Sequence, residues 1–157
     1  MIVTYPDPSL TTTTGEFDFV NSTDDPIEIA DTLMRVINDK SLISISANQL
    51  RLPHRVFVLR GAENNFVCFN PKIVYSSEES ELLDEACPSF PGVTVKVKRP
   101  KEIRVRFQTP SGVTTTQTFS GLTARAFQHE LDHLDGVLFY NRANRYHREK
   151  ALKNGRK

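Results

Sequence analysis

Apolar positions along this chain follow two rhythms. Ile29, Leu33, Val36 and Ile37 recur at helical spacing and predict a first helix from about Pro26 to Lys40. Asp25 is placed to cap it, Pro26 suits its first turn and Glu28 favours the positive end of its dipole. The middle of the chain is strand-like. Val56–Leu59, Phe66–Phe69 and Ile73–Tyr75 are short apolar runs bounded by turn residues. Val93, Val95 and Val97 alternate with Thr94, Lys96 and Lys98, and Ile103, Val105 and Phe107 alternate with Arg104, Arg106 and Gln108. Each of these segments should present one wet face and one buried face. Thr109-Pro110-Ser111-Gly112 predicts a turn into a Thr-rich strand, Val113 to Phe119, and Thr11 to Gly15 reads as an irregular loop.

Helical spacing returns from about Leu122 to Asp135, with Gly136 as the expected C-terminal cap. Leu122, Ala126, His129, Glu130 and His133 share one face, and Phe127, Leu131 and Leu134 occupy another. A helix apolar on most of its circumference belongs in the middle of a protein, wrapped by sheet. A third helix, about Ala143 to Lys153, is mostly polar and should lie outside. The expected fold is α+β, with antiparallel sheets around a central helix.

Composition adds few constraints. A chain of 157 residues suits one domain, with 38% hydrophobic and 25% charged residues as in ordinary soluble proteins. No apolar run approaches the roughly 20 residues of a membrane span. The first residues lack the pattern of a secretory or transit peptide, and Cys68 and Cys87 make no disulfide framework, so a reducing cytoplasm is expected. Net charge is +1, but seven Lys/Arg residues and one acid, Glu149, stand between Arg142 and Lys157. That segment is either a solvated helix with a frayed tail or a surface for phosphate groups.

The chemistry concentrates in His129-Glu130-Leu131-Asp132-His133. Imidazoles four residues apart on a helix can grip one metal ion, and the intervening carboxylate is placed to move protons at a water activated by that metal. Two ligands are too few. Metzincin-type proteases continue to a third His, but Phe139 stands at that position; where thermolysin-like proteases carry a Glu, this chain has Lys153. Cys87 remains, between Ala86 and Pro88 at the start of the turn Pro88-Ser89-Phe90-Pro91-Gly92. One thiolate and two imidazoles leave a coordination position open, which hydrolysis requires. Cys68, within an apolar strand, reads instead as a small buried hydrophobe.

Taken together, these stretches resemble the peptide deformylase family. His129 to His133 matches its H-E-x-D-H motif, Glu85-Ala86-Cys87-Pro88-Ser89 its E-G-C-L-S motif, and Leu42 to Gln49 part of G-x-G-x-A-A-x-Q. Similarity extends to Tyr5-Pro6-Asp7-Pro8 and Phe69-Asn70-Pro71-Lys72, and so to nearly the whole chain, residues 1–157. The resemblance implies removal of formate from the N-formyl-methionine of nascent polypeptides. It implies Cys87, His129 and His133 as metal ligands, Glu130 as general acid/base and Gln49 as oxyanion donor. It also implies Fe(II) as native metal, although the donor set accepts Zn(II) or Ni(II) as well. Leu42 and Ser44 replace the motif glycines, and Pro88 lacks the backbone N–H that the family aims at the formyl oxygen. Ser46, in place of an alanine, is a candidate substitute donor.

For the methionine side chain, Ile45, Leu83, Leu122 and Ala126 are the expected pocket, with Arg125 beside it. The basic segment 143–157 is a candidate ribosome-docking element; no membrane or DNA partner is expected. The competing readings are a catalytically weak metal-binding relative, motivated by Pro88 and the lost glycines, and an HExxH metalloprotease.

Overall fold

A computed structural model of the protein describes residues 1–155. Helix α1 (Pro26–Asp39) starts where Asp25 accepts a hydrogen bond from the Ile27 backbone N–H at 2.9 Å, and it buries Ile29, Leu33 and Ile37. In chain order the strands are β1 (Ser44–Ser46), β2 (Val56–Arg60), β3 (Asn65–Ser76), β4 (Ser80–Ala86), β5 (Thr94–Pro100), β6 (Glu102–Gln108) and β7 (Thr114–Ser120). Helices α2 (Gly121–Leu134) and α3 (Arg145–Gly155) follow. Strands β1, β2, β3, β6 and β7 form one antiparallel sheet in that order, and β4 pairs with β5 in a separate ribbon.

Helix α2 lies between them, touching β1, β2, β6 and β7 of the large sheet and β5 of the ribbon. Its apolar face is fixed by burial of Ala124, Phe127 and Leu134 against Phe57, Leu59, Ile103, Val105 and Phe119. Phe57 and Phe127 meet edge-on, with ring centroids 4.9 Å apart. The fold is therefore the expected α+β arrangement around a central helix. Gly136, at φ 71°, lets the chain leave α2: its N–H bonds the His133 carbonyl and the next N–H, of Val137, bonds that of Asp132. A side chain there would collide with the Thr11 carbonyl, 2.8 Å from the Cβ position.

Three local expectations change. The runs Phe66–Phe69 and Ile73–Tyr75 are halves of one strand, β3, whose register against β6 shifts between Phe69 and Lys72. Asn70, at φ 50°, absorbs that irregularity, its amide bonded to the Phe17 backbone and to Gln108. The short β1 and the polar β4 carry no alternation strong enough to announce them; both exist through pairing, with β2 and β5. Thr11 ends a short 3-10 turn, Pro8–Thr11, in which the Asp7 side chain accepts from the Ser9 N–H. The Ser9 N–H and hydroxyl, with the nearby Arg51 guanidinium, hold the half-buried Asp7 carboxyl down at about 2.

Helix α3 packs on β5 through the buried Ala151 and leaves its remaining side chains largely outward. The basic segment predicted to run to Lys157 continues at Arg156 and Lys157 outside the described residues. Among the described residues, no helix is long and apolar enough to cross a membrane.

Candidate active site

Two elements converge on one buried spot. Helix α2 supplies His129 and His133, one turn apart, and the turn after β4 supplies Cys87. Phe90 closes that turn by donating its N–H to the Cys87 carbonyl at 2.9 Å. One potential ligand atom from each of Cys87, His129 and His133 lies within 4.8 Å of the other two, and all three residues are buried. The Cys87 sulfur is 3.2 Å from His133 Nε2.

The residues fit a metal ion on two further grounds. His129 has its Nδ1 3.0 Å from the Glu85 carboxylate, which leaves Nε2 for the cluster. Histidine ligands commonly have their second nitrogen held in this way. Glu130 Oε1, next to the cluster, is buried without a hydrogen-bond partner, polar capacity that a folded interior rarely leaves unused; His133, whose Nε2 faces Cys87, has no partner for its other nitrogen.

Glu85 is the hub beneath the site. It accepts both Nε and Nη2 of Arg99, at 2.6 and 3.0 Å, and Nη1 of Arg125 at 2.5 Å, besides its contact with His129. Burial alone would raise this carboxyl; the bonds to His129 and Arg99 overcome that and hold it at about 2. Arg99 continues to Asp132 at 2.9 Å, and Asp132 accepts from Arg142. The network anchors α2 to the ribbon. Glu85 and Cys87 lie two residues apart, so one side of β4 and its exit serves both. That spacing could have signalled the Glu85 role from the sequence; Arg99 carries no comparable signal.

Burial pulls His133 well below its ordinary value, with the His129 and Arg99 charges acting in the same direction. Burial would also depress His129, but its contacts with Cys87 and Glu85 prevail and raise it. Burial lifts Glu130 above the usual carboxylate range, against the pull of His129 and of the Ser44 and Ser46 hydroxyls.

Gln49 reaches the cluster from the 3-10 turn Ala47–Leu50. Its Nε2 donates to Ser89 Oγ at 3.0 Å and stands 3.5 Å from the Cys87 sulfur. Its Oε1 accepts from both the N–H and the hydroxyl of Ser46, at 3.0 and 2.9 Å. Ser46 is thus fully buried and bonded to Gln49, which corrects its expected place as a donor facing the substrate.

A cleft of about 380 Å³ opens beside the cluster, lined on one side by Leu122, Arg125, Ala126, His129 and Glu130 and on the other by Leu42, Ile43, Ser44, Ala86 and Pro88. Leu122 and Ala126 are among its lining residues. Ile45 is not: it points away from Ser44 and Ser46 into the core packed against α1, with Leu33 and Ile37. Leu83 also stays outside the lining, pairing with Val97 farther along the ribbon, while Asp84, Glu85 and Ala86 form the wall. Ile43, not anticipated from the sequence, takes a lining position and is 56% exposed. Arg125 borders the cleft, but its guanidinium is bonded to Glu85 and to the Val97 and Glu81 carbonyls rather than reaching solvent.

A buried thiol, two imidazoles, an adjacent carboxylate and an open apolar cleft suit metal-assisted hydrolysis of a small acyl group. Comparison with known proteins points the same way. A family model described as polypeptide deformylase matches residues 1–149. The peptide deformylase of Desulforudis audaxviator is 36% identical over 151 residues, covering 95% of this chain and 96% of that one. That of Thermotoga neapolitana is 37% identical over 100 residues, which is 64% of this chain and 61% of the relative. The crystal structure of the Thermus thermophilus peptide deformylase superposes with a TM-score of 0.91 at 31% identity, over 99% of this chain and 92% of that one.

Proposed function

The chain belongs to the polypeptide deformylase family, and from that membership we propose that it hydrolyses the formyl group from N-formyl-methionine at the start of nascent polypeptides. The observation that carries this reading is the buried Cys87, His129 and His133 cluster beside an open apolar cleft. These three residues would hold the metal, with Fe(II) as the native ion and Zn(II) or Ni(II) as substitutes. When bound, a divalent cation supplies Lewis acidity, acidifying water at neutral pH and polarising a carbonyl.

The protein's own groups supply the remaining steps. Glu130, through its unpartnered Oε1, takes a proton from the attacking water as the oxygen adds to the formyl carbon. The same carboxyl then gives the proton to the amine nitrogen as the C–N bond breaks and formate leaves. The Gln49 amide, fixed by Ser46 and Ser89, donates to the developing oxyanion; one such donor contributes about 3 to 4 kcal/mol. The methionine side chain lies along Leu122, Ala126 and Ile43. The substrate is met in the cytoplasm, where the basic face of α3 and the residues after it would dock on ribosomal RNA.

Pro88 lines the cleft and has no N–H to offer, which favours a second reading, a slow relative whose oxyanion support is incomplete. One experiment separates the readings. Protein loaded with Fe(II) without oxygen should release formate from formyl-Met-Ala and leave internal peptide bonds intact. Pro88→Leu, which restores a backbone donor, should raise that turnover about tenfold or more at unchanged metal content. No formate from either protein defeats the deformylase reading, and internal cleavage would favour a protease.

A further inference from the structure

Strand β1 places Ser44 and Ser46 on the same side, with Ile45 turned to the core between them. Ser46 is bonded to Gln49, as described above. Ser44 does the corresponding thing for Glu130: its hydroxyl donates to Oε2 at 2.5 Å. The two residues stand 86 positions apart in the chain, so this contact is made only by packing β1 against α2.

We propose that Ser44 is a positioning residue for the catalytic carboxylate, holding Glu130 Oε2 so that Oε1 is the oxygen presented to water and leaving amine. Three observations support this. The Ser44–Glu130 bond is short and charge-assisted, which gives it strong directional preference. Oε1 is buried with no partner, and Ser44 makes the short hydrogen bond to the other carboxylate oxygen, with the Ser46 hydroxyl also acting on the group. Ser44 also lines the cleft, so its hydroxyl sits at the boundary between Glu130 and bound peptide. Both reacting side chains are thereby set by hydroxyls of one short strand, Glu130 by Ser44 and Gln49 by Ser46.

The role of Ser44 rests on the deformylase reading for its chemistry but not for its geometry, and the two can be measured separately. Ni(II)-loaded wild type, Ser44→Ala and Ser44→Thr would be compared in steady-state formate release and in crystal structures. In Ser44→Ala, kcat should fall about 10- to 100-fold with KM within twofold of wild type, because binding is kept and alignment lost. Its Glu130 carboxylate should occupy more than one orientation. Ser44→Thr, which keeps the hydroxyl, should restore both the rate and the single orientation. Unchanged kcat in Ser44→Ala, or a Glu130 carboxylate fixed as in wild type, overturns the proposal. If wild type itself releases no formate, the deformylase reading fails, and the Glu130 orientations still decide the role of Ser44.

Discussion

Glu130→Gln should slow formate release by about 10²- to 10⁴-fold while the protein retains its metal. The substitution keeps the shape of the side chain and removes only its capacity to accept and return a proton. Glu130 is not among the three clustered ligand residues, so metal content measured by elemental analysis should match wild type. Its surroundings favour proton transfer. Its Oε1 is buried and has no competing partner, so it is free to take and return the proton. Turnover within a few-fold of wild type would remove Glu130 from the reaction and leave it as a buried polar residue.

The second large effect is expected at Glu85, which touches no substrate. Glu85→Gln leaves Arg99 and Arg125 buried beside one another without the carboxylate that both engage. Breaking a buried ion pair from one side costs about 3 to 5 kcal/mol, and urea unfolding of the metal-free protein should show a loss of that order. The same change replaces the charged acceptor that holds the His129 ring with a neutral amide, so metal affinity should fall about 10- to 100-fold in a competition titration with a chelator. The two readouts are independent. Full stability of the metal-free variant would mean that the Arg99 to Asp132 and Arg125 to carbonyl bonds suffice. Unchanged affinity would mean that the carboxylate charge is not needed to orient His129.

Both predictions concern residues whose neighbours are unevenly visible in the sequence. Glu130 can be assigned from spacing, because its place between the two histidines on a helix fixes the geometry locally. Glu85 cannot be assigned so directly. Its partners come from β5 and α2, Arg99 and Arg125, and no local rule selects them from among the chain's basic residues. The pocket shows the same division. Leu122 and Ala126 are legible because helical spacing puts them above His129 and Glu130, and the cleft lies on that side. Alternation in Ile43-Ser44-Ile45-Ser46 sets Ile45 opposite the two serines, but so short a segment leaves open which side meets the core and which the cleft. Burial makes that choice: Ile45 packs against α1, and Ser44 and Ser46 turn to the catalytic side chains.

Whatever depends on short-range geometry was already written in the order of residues. The helical rhythm of α2, its stop at Gly136, the faces of β5 and β6, and the pairing of His129 with His133 all follow from residues within a few positions of one another. Which distant groups meet was left to the packing of the folded chain. Cys87 reaches His133 across 46 positions, Ser44 reaches Glu130 across 86, and Asn70 turns an apparent gap between strands into one continuous β3. The physical reason is range: backbone periodicity fixes a side chain's direction within its own element. What stands opposite depends on how elements pack to bury their apolar faces, and that is a property of the whole chain.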